Sequence, residues 1–294
     1  MTKYGSYFLE MVRIKDALKD ISHMATVRLD QKKRALVRSI PLSFNRALAQ
    51  YFGGGEKNVD LARKQHTAYI EALTDAGIEV KILDEDENHP DCVFVEDQAV
   101  VIDGHILLPV PGHPSRVREQ PPISKYLREQ LRKMKIRTCK MGGEARMDGG
   151  DILRLGNLFF VGRSTRTNDR GIFVLQELLD WLGYELRVVD IPPTALHLTS
   201  ISSTPTDSII LTAEGFLKPE DFGTLAEGCR VVLMPEEEVY GCNTIGLPNN
   251  KVLIAKDYPT VAQFLRSEGL EVIELDFSEI RKADGSLTCC SIFY

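Results

Sequence analysis

Six residues of this chain have the side chains and the setting to do chemistry. They are Cys289 in LTCCSIFY, His197 in ALHLTS, Asp148 in MDGGD, and Asp91, Glu96 and Asp97 in PDCVFVED. A cysteine can attack an electrophilic carbon, a histidine can move a proton, and a carboxylate can set an imidazole tautomer or hold a cation. Taken singly, most have plainer explanations. Cys289 sits in an apolar stretch where an inert packed thiol is common, His197 could be a satisfied core side chain, and Asp148 could simply make the MDGG turn. DCVFVED is harder to dismiss, because burying acids among Val93, Phe94 and Val95 is costly unless a cation or hydrogen-bond donors answer them.

The adjacent Cys289 and Cys290 raise the question of a shared role. In an extended terminal segment neighbouring side chains point to opposite faces, which separates the two thiols and argues against one chelating pair. The remaining cysteines, Cys92, Cys139, Cys229 and Cys242, are scattered, and CxxC, HExxH and Cys/His clusters are all lacking. Neither a disulfide framework nor a structural zinc site is expected.

These residues need elements to bring them together, and the chain is built by repetition. Residues 60–75 (DLARKQHTAYIEALTD) have helical periodicity and precede the strand-like IEVKIL; ISKYLREQLRKM precedes IRTCKM, and GIFVLQELLDWLG precedes YELRVVD. Weaker copies are DFGTLAEG before CRVVLM and TVAQFLRSEG before LEVIELD. After the strands come strand-turn-strand candidates beginning at Asp91, Met147, Leu196 and Cys242. Comparable positions at Asp91, Asp148, His197, Cys242 and Cys289 lie 57, 49, 45 and 47 residues apart, a spacing that calls for a repeat reading. TVRLDQKKRALVRSIP supplies an N-terminal strand pair, and the last copy is short, as if first and last pieces close one ring. A closed, radially repeated α/β assembly would bring the reactive positions to one axis; a doubly wound sheet or two domains is the alternative. The double glycines Gly142-Gly143 and Gly149-Gly150 read as turns rather than as a phosphate cradle.

Composition narrows the class. The chain has 294 residues, 43% hydrophobic and 27% charged, with a formal net charge of -6. That balance gives no general attraction to nucleic acid or anionic membrane and is compatible with a cationic small substrate. Residues 1–24 contain no uninterrupted apolar signal region, and the apolar runs are too short to span a bilayer as isolated helices. A cytoplasmic location is expected.

PDCVFVED, GHPSR, MDGGD, FFVGRSTRTNDRG, ALHL, IGLPN and DGSLTCCS occur in that order. From about Thr26 onward the sequence resembles the dimethylarginine dimethylaminohydrolases of the guanidine-modifying, or pentein, superfamily. The resemblance implies a five-bladed α/β propeller with pseudo-fivefold repeats, a single catalytic domain over 25–294, and residues 1–24 as an extension. It implies hydrolysis of N-omega-methylated arginine to citrulline through a covalent cysteine intermediate, with no metal or organic cofactor. Cys289 matches the nucleophile, His197 the proton-transfer residue and Asp148 its acidic partner. Asp97, beside Glu96, matches the guanidinium-binding acid, Asp91 a residue holding the amino-acid end, and Arg116 and Arg166 the α-carboxylate arginines. Ala49, in a flap that Gly53-Gly54-Gly55 would let move, and Ala283 complete the substrate contacts. Cys290 is left as a packing residue. Related deiminases carry an acid two residues after the histidine, where this chain has Thr199, which suggests room for N-methyl groups. A homodimer is compatible with the family. An arginine deiminase, another amidine hydrolase and a silent arginine-binding protein are the alternatives.

Overall fold

The computed structural model describes residues 32–131 and 138–294. The extension 1–24 and the start of TVRLDQKKRALVRSIP lie outside them. Fifteen strands run through the described chain: β1 (Arg34–Arg38), β2 (Glu79–Leu83), β3 (Val100–Ile102), β4 (His105–Leu108), β5 (Thr138–Lys140), β6 (Ile152–Leu155), β7 (Leu158–Arg163), β8 (Glu185–Asp190), β9 (Ser202–Thr206), β10 (Ile209–Ala213), β11 (Arg230–Met234), β12 (Ile245–Leu247), β13 (Lys251–Ala255), β14 (Glu271–Leu275) and β15 (Ile292–Phe293). They form five separate three-stranded sheets, β15-β1-β2, β3-β4-β5, β6-β7-β8, β9-β10-β11 and β12-β13-β14. In every one the middle strand runs antiparallel to its first neighbour and parallel to the third strand.

A parallel pair needs a crossover, and helices supply it in four of the five cases. The helices are α1 (Val59–Asp75), α2 (Gln120–Leu131), α3 (Asp169–Leu182), α4 (Leu198–Ile201), α5 (Pro259–Ser267) and α6 (Ser278–Arg281). In α1 the buried Ala62, Gln65, His66, Tyr69, Ala72 and Leu73 recur every three to four residues, so one face meets the core. Its N-terminus is capped by the Asn58 side chain, which accepts from the Leu61 N–H. The α3 helix stops at Gly183, whose φ of 83° lies in the left-handed region. Middle strands are covered on both faces and read as apolar runs, such as the fully buried Ile106-Leu107 and Val252-Leu253-Ile254. Third strands are edges and carry charge, as in Glu271 and Glu274 of β14.

Two expectations change. DFGTLAEG is no α-helix: a 3-10 turn over Pro219–Phe222 ends at Gly223, whose φ is 67°. DCVFVED is no strand: the Phe94 N–H donates to the Asp91 carbonyl (3.0 Å), and a 3-10 turn follows over Val95–Gln98. Of the N-terminal strand pair the described residues hold β1, set antiparallel to the chain's last strand, Ala35 opposite Phe293; its first member lies outside them.

Neighbouring sheets meet through β6 with β9, β9 with β12, and β15 with β3. Close by, the 3-10 turn Val95–Gln98 packs on two others, Gly149–Asp151 and Thr288–Cys290, while α4 packs on Gly149–Asp151. Those turns hold the reactive residues.

Candidate active site

Cys289 and His197 line the same small cavity, together with Asp91, Asp97, Arg116, Arg166 and Ala283. Its volume is about 20 Å³, room for a water but not for an amino acid. The local backbone explains the convergence. A Cβ on Gly149 would stand 2.0 Å from the Glu96 carbonyl oxygen, and one on Gly150 would stand 2.7 Å from His197 Nδ1 and 3.1 Å from Asp97 Oδ1. Only glycine lets the turns at 96–97, 148–151 and 197 approach so closely, so the MDGG pair is more than a turn former.

His197 is buried, and its Nε2 lies 2.9 Å from Asp148 Oδ2. Its Nδ1 lies 4.0 Å from Asp97 Oδ1 and has no hydrogen-bond partner among the described residues. Burial works against the imidazolium, but Asp97, the Asp148 hydrogen bond and Asp151 outweigh it and hold the group up at about 9. Asp148 is itself fully buried, where burial alone would raise its carboxyl; the His197 hydrogen bond and charge, with Arg116 and Arg166, hold it below the usual range. The Gly112 N–H donates to its Oδ1 (2.7 Å), and Arg166 reaches its Oδ2 at 3.4 Å.

Asp97 accepts from the Gly150 N–H (3.0 Å) and pairs with the Arg116 guanidinium. Arg116 is buried and much engaged: it also bonds both Glu119 oxygens and donates to the Phe94 carbonyl at 2.6 Å. The cation demanded by the acids of DCVFVED is therefore Arg116, nineteen residues further on in sequence.

Thr288–Cys290 is a 3-10 turn, so the two thiols diverge by helical rotation and not by pleat alternation. Cys289 Sγ stands 3.3 Å from Ser286 Oγ and faces the cavity, whereas Cys290 Sγ approaches the Ser286 carbonyl (3.7 Å) within the core. Burial, then the Glu96 and Asp97 carboxylates, push the Cys289 thiol far up.

Three residues named from sequence fall outside the cavity lining: Ala49, Glu96 and Asp148, the last of which reaches it through its bond to His197. Ala49 does not line it, though Leu48 does. Glu96 turns to the other side of its turn, against Thr288, whose hydroxyl donates to Oε2 at 3.0 Å. Others were not singled out from sequence. Asp284 also lines the cavity, and its carboxylate accepts from the backbone N–H groups of Gln50, Tyr51 and Gly53, while Asp91 Oδ1 accepts from the Leu48 N–H (3.0 Å). Asp151 is buried, accepts from Ser164, Thr167 and the Leu198 N–H, and so fixes the backbone beside His197. Asn243 donates to the Thr199 carbonyl and to Thr288 Oγ1. Asp284 sits in DGSLTCCS and Asn243 in the strand candidate from Cys242, and nothing in either stretch marks the residue for a site role.

Asp97, Asp148 and His197 present ligand atoms within 4.8 Å of one another. Both carboxylates are already answered by arginine or backbone donors, and the high proton affinity of His197 competes with a metal. The surroundings suit an organic cation presented to the cavity better than an ion bound within this trio.

The fold is shared with solved structures of known enzymes. A cysteine-to-serine mutant of dimethylarginine dimethylaminohydrolase from Pseudomonas aeruginosa, complexed with citrulline, superposes with a TM-score of 0.81 at 28% identity, covering 89% of this chain and 99% of that one. The N-terminal domain of a cyanobacterial arginine dihydrolase bound to substrate superposes with a TM-score of 0.73 at 16% identity, covering 88% and 97%. The molecule is thus of the α/β class that these amidine-processing enzymes share. Residues 47–293 match the family model for eukaryotic N,N-dimethylarginine dimethylhydrolase. The N(G),N(G)-dimethylarginine dimethylaminohydrolases of Pseudomonas aeruginosa and Streptomyces coelicolor are 32% and 31% identical over 241 and 261 residues, covering 81% and 88% of this chain and 90% and 96% of their own. The chain belongs to the dimethylarginine dimethylaminohydrolase family. Among the described residues no helix is long and apolar enough to cross a membrane.

Proposed function

We propose that the chain hydrolyses asymmetric dimethylarginine and monomethylarginine to citrulline and a methylamine. The observation that carries this reading is the convergence of Cys289, His197, Asp97 and Arg166 on one cavity in a member of this family. A guanidinium is a planar cation with N–H donors, and Asp97 offers it a carboxylate. Its arrival also offsets the negative charge that holds the Cys289 proton, so substrate binding itself favours the thiolate. The thiolate attacks the guanidinium carbon. His197, held by Asp148 and proton-loaded near neutral pH, gives its proton to the departing methylamine and leaves an S-alkylthiouronium on Cys289. His197 then takes a proton from water, and collapse of the second adduct releases citrulline. Asp91 and Arg166 hold the amino-acid end, and the reading requires no metal or organic cofactor.

Because the cavity is too small for the substrate, the segment from Leu48 to Gly53 must lift. Its hydrogen bonds to Asp91 and Asp284 are the contacts to be broken. The five sheets are read as five blades of a propeller: the contacts of β6 with β9, β9 with β12 and β15 with β3 support such a ring, as does packing of α1 on β14. We read 25–294 as one catalytic domain preceded by an extension. A cytoplasmic location and a homodimer belong to the same reading, checked by fractionation and light scattering.

Incubation with asymmetric dimethylarginine, monomethylarginine and arginine, with assay of ureido product and released amine, tests the substrate. Citrulline from the methylated forms is expected; ammonia from arginine with no turnover of methylated substrates would refute the reading.

A further inference from the structure

Behind the first cavity lies a second, larger one of about 210 Å³, with Lys32, Asp207, Ser203, Thr204 and Thr244 in its lining. It is polar and large enough for several waters. Three segments form the wall between the two. Asp97 faces the first cavity and Glu96 the second; Cys289 faces the first and Thr288 the second; His197 faces the first and Thr199 the second. The Thr199 hydroxyl is buried and lacks a hydrogen-bond partner among the described residues, so it can bond water on that side. Glu96 joins the two sides: it lines the rear cavity, its carboxylate accepts from Thr288 Oγ1 (3.0 Å) in the same 3-10 turn as Cys289, and it comes close to the Cys289 thiol.

We propose that Glu96 is a catalytic residue that takes the proton from Cys289 and passes it to water in the rear cavity. This rests on the proposed reaction for its substrate and assigns Glu96 a different part from holding the guanidinium. The Cys289 S–H bond breaks, the thiolate forms, and a Glu96 carboxylate oxygen gains the proton. The Glu96 O–H bond then breaks to water behind the wall, which restores the carboxylate. With the first cavity filled by substrate, the proton leaves without crossing it. Burial, then Asp97, raise Glu96 to about 8, and His197, Thr288 and Cys289 pull the other way. Lys32 adds positive charge from the rear cavity, whose lining also holds Asp207; Tyr69 and Cys290 are both held neutral by burial. Only the carboxylate form, the major one above about 8, can accept from the thiol and release to water, which is why activity should rise through that limb.

The test uses the full chain as wild type, Glu96→Gln, Glu96→Asp and Thr204→Met. In steady state on asymmetric dimethylarginine, Glu96→Gln is expected to lose about thirtyfold or more in kcat with KM within about threefold, and to lose the limb of the pH profile near 8. Glu96→Asp restores part of kcat and the limb. Thr204→Met, which fills rear-cavity space, lowers kcat several-fold at constant KM. An independent arm follows alkylation of Cys289 by a haloacetamidine, a cation that occupies the first cavity without needing turnover; Glu96→Gln is expected to slow it about tenfold. A raised KM with intact kcat would make Glu96 a guanidinium ligand, and an unchanged alkylation rate, or a parallel loss with lowered Tm, would overturn the proposal. If alkylation depends on Glu96 but wild type turns over no methylated arginine, the proton route stands and the substrate reading falls.

Discussion

Two buried histidines separate the helix-covered core from the turns around the cavity. His66 lies on the inner face of α1 against Tyr69, ring centroids 6.2 Å apart, with Nε2 unpartnered among the described residues. His197 is equally buried, yet it stands among Asp97, Asp148 and Asp151. Burial alone lowers His66 to about 4, whereas the acids hold His197 up at about 9. Burial therefore does not mark a functional histidine; the charges gathered with it do.

The sharpest way to break that contrast is at the paired cysteines, both buried in one apolar cluster but only Cys289 lining the cavity. Cys289→Ser is expected to abolish turnover by about four orders of magnitude or more while leaving Tm nearly unchanged. Cys290→Ser, in the core, should retain activity within about tenfold and lower Tm, since it buries a hydroxyl in an apolar cluster. Intact mass after a guanidine-directed inactivator, together with citrulline assay, reads both. Labelling confined to Cys290 would reverse the assignment.

Next in size is Gly150→Ala. The added Cβ meets His197 Nδ1 at 2.7 Å, so the ring or the turn must shift. A misplacement of that order costs about a hundredfold in kcat when it separates reacting groups. Gly156, where φ is 60° and nothing lies within 4 Å of the added Cβ, is the control: alanine there strains the backbone and leaves turnover intact.

The sequence made the repeat legible because every copy must bury a middle strand and four of the five a helix face as well, which imposes the same apolar periods again and again. Its reactive residues were legible as chemistry and through family motifs. What could not be read was which way each side chain turns. Glu96 and Asp97 are adjacent in one 3-10 turn and therefore face different cavities, although their burial and charge look alike in sequence. DCVFVED has the continuous apolar run, Cys92 to Val95, of a buried strand, but the Phe94 carbonyl accepts from Arg116 and the segment turns instead. DFGTLAEG carries a helical pattern over only eight residues with a glycine at its third position, too little to sustain a nucleus. Asp284 and Asp151 work through backbone N–H groups, and a residue's bonds to distant backbone leave no mark in local pattern.

Stability against pH sharpens the histidine contrast more gently. His197 has a raised folded value, so its contribution is complete below about 6.5 and is lost as pH rises through about 9. Glu96 adds to the same loss, because the folded chain holds its proton up to about 8 where the unfolded chain does not. Tm is expected to fall between pH 6.5 and 9, and His197→Asn should flatten that decline. A Tm that rises over this range would contradict the charge pattern around His197.

His66 gives the smallest effect and the opposite sign. Its folded value is depressed, so the unfolded chain takes up the proton first as pH falls from about 6.5 through about 4, and stability is lost there. His66→Leu removes that titration and the unpartnered Nε2, and leaves an apolar side chain among Ala62, Tyr69 and Leu73. Near pH 7 the change is expected to be neutral or slightly stabilising, within about 1 kcal/mol. Near pH 5 it should raise Tm relative to wild type, with kcat unchanged at both. The difference between the two Tm–pH curves is the measurement. Parallel curves would mean that His66 is answered by a donor or acceptor in the core, and the distinction between the two histidines would then rest on His197 alone.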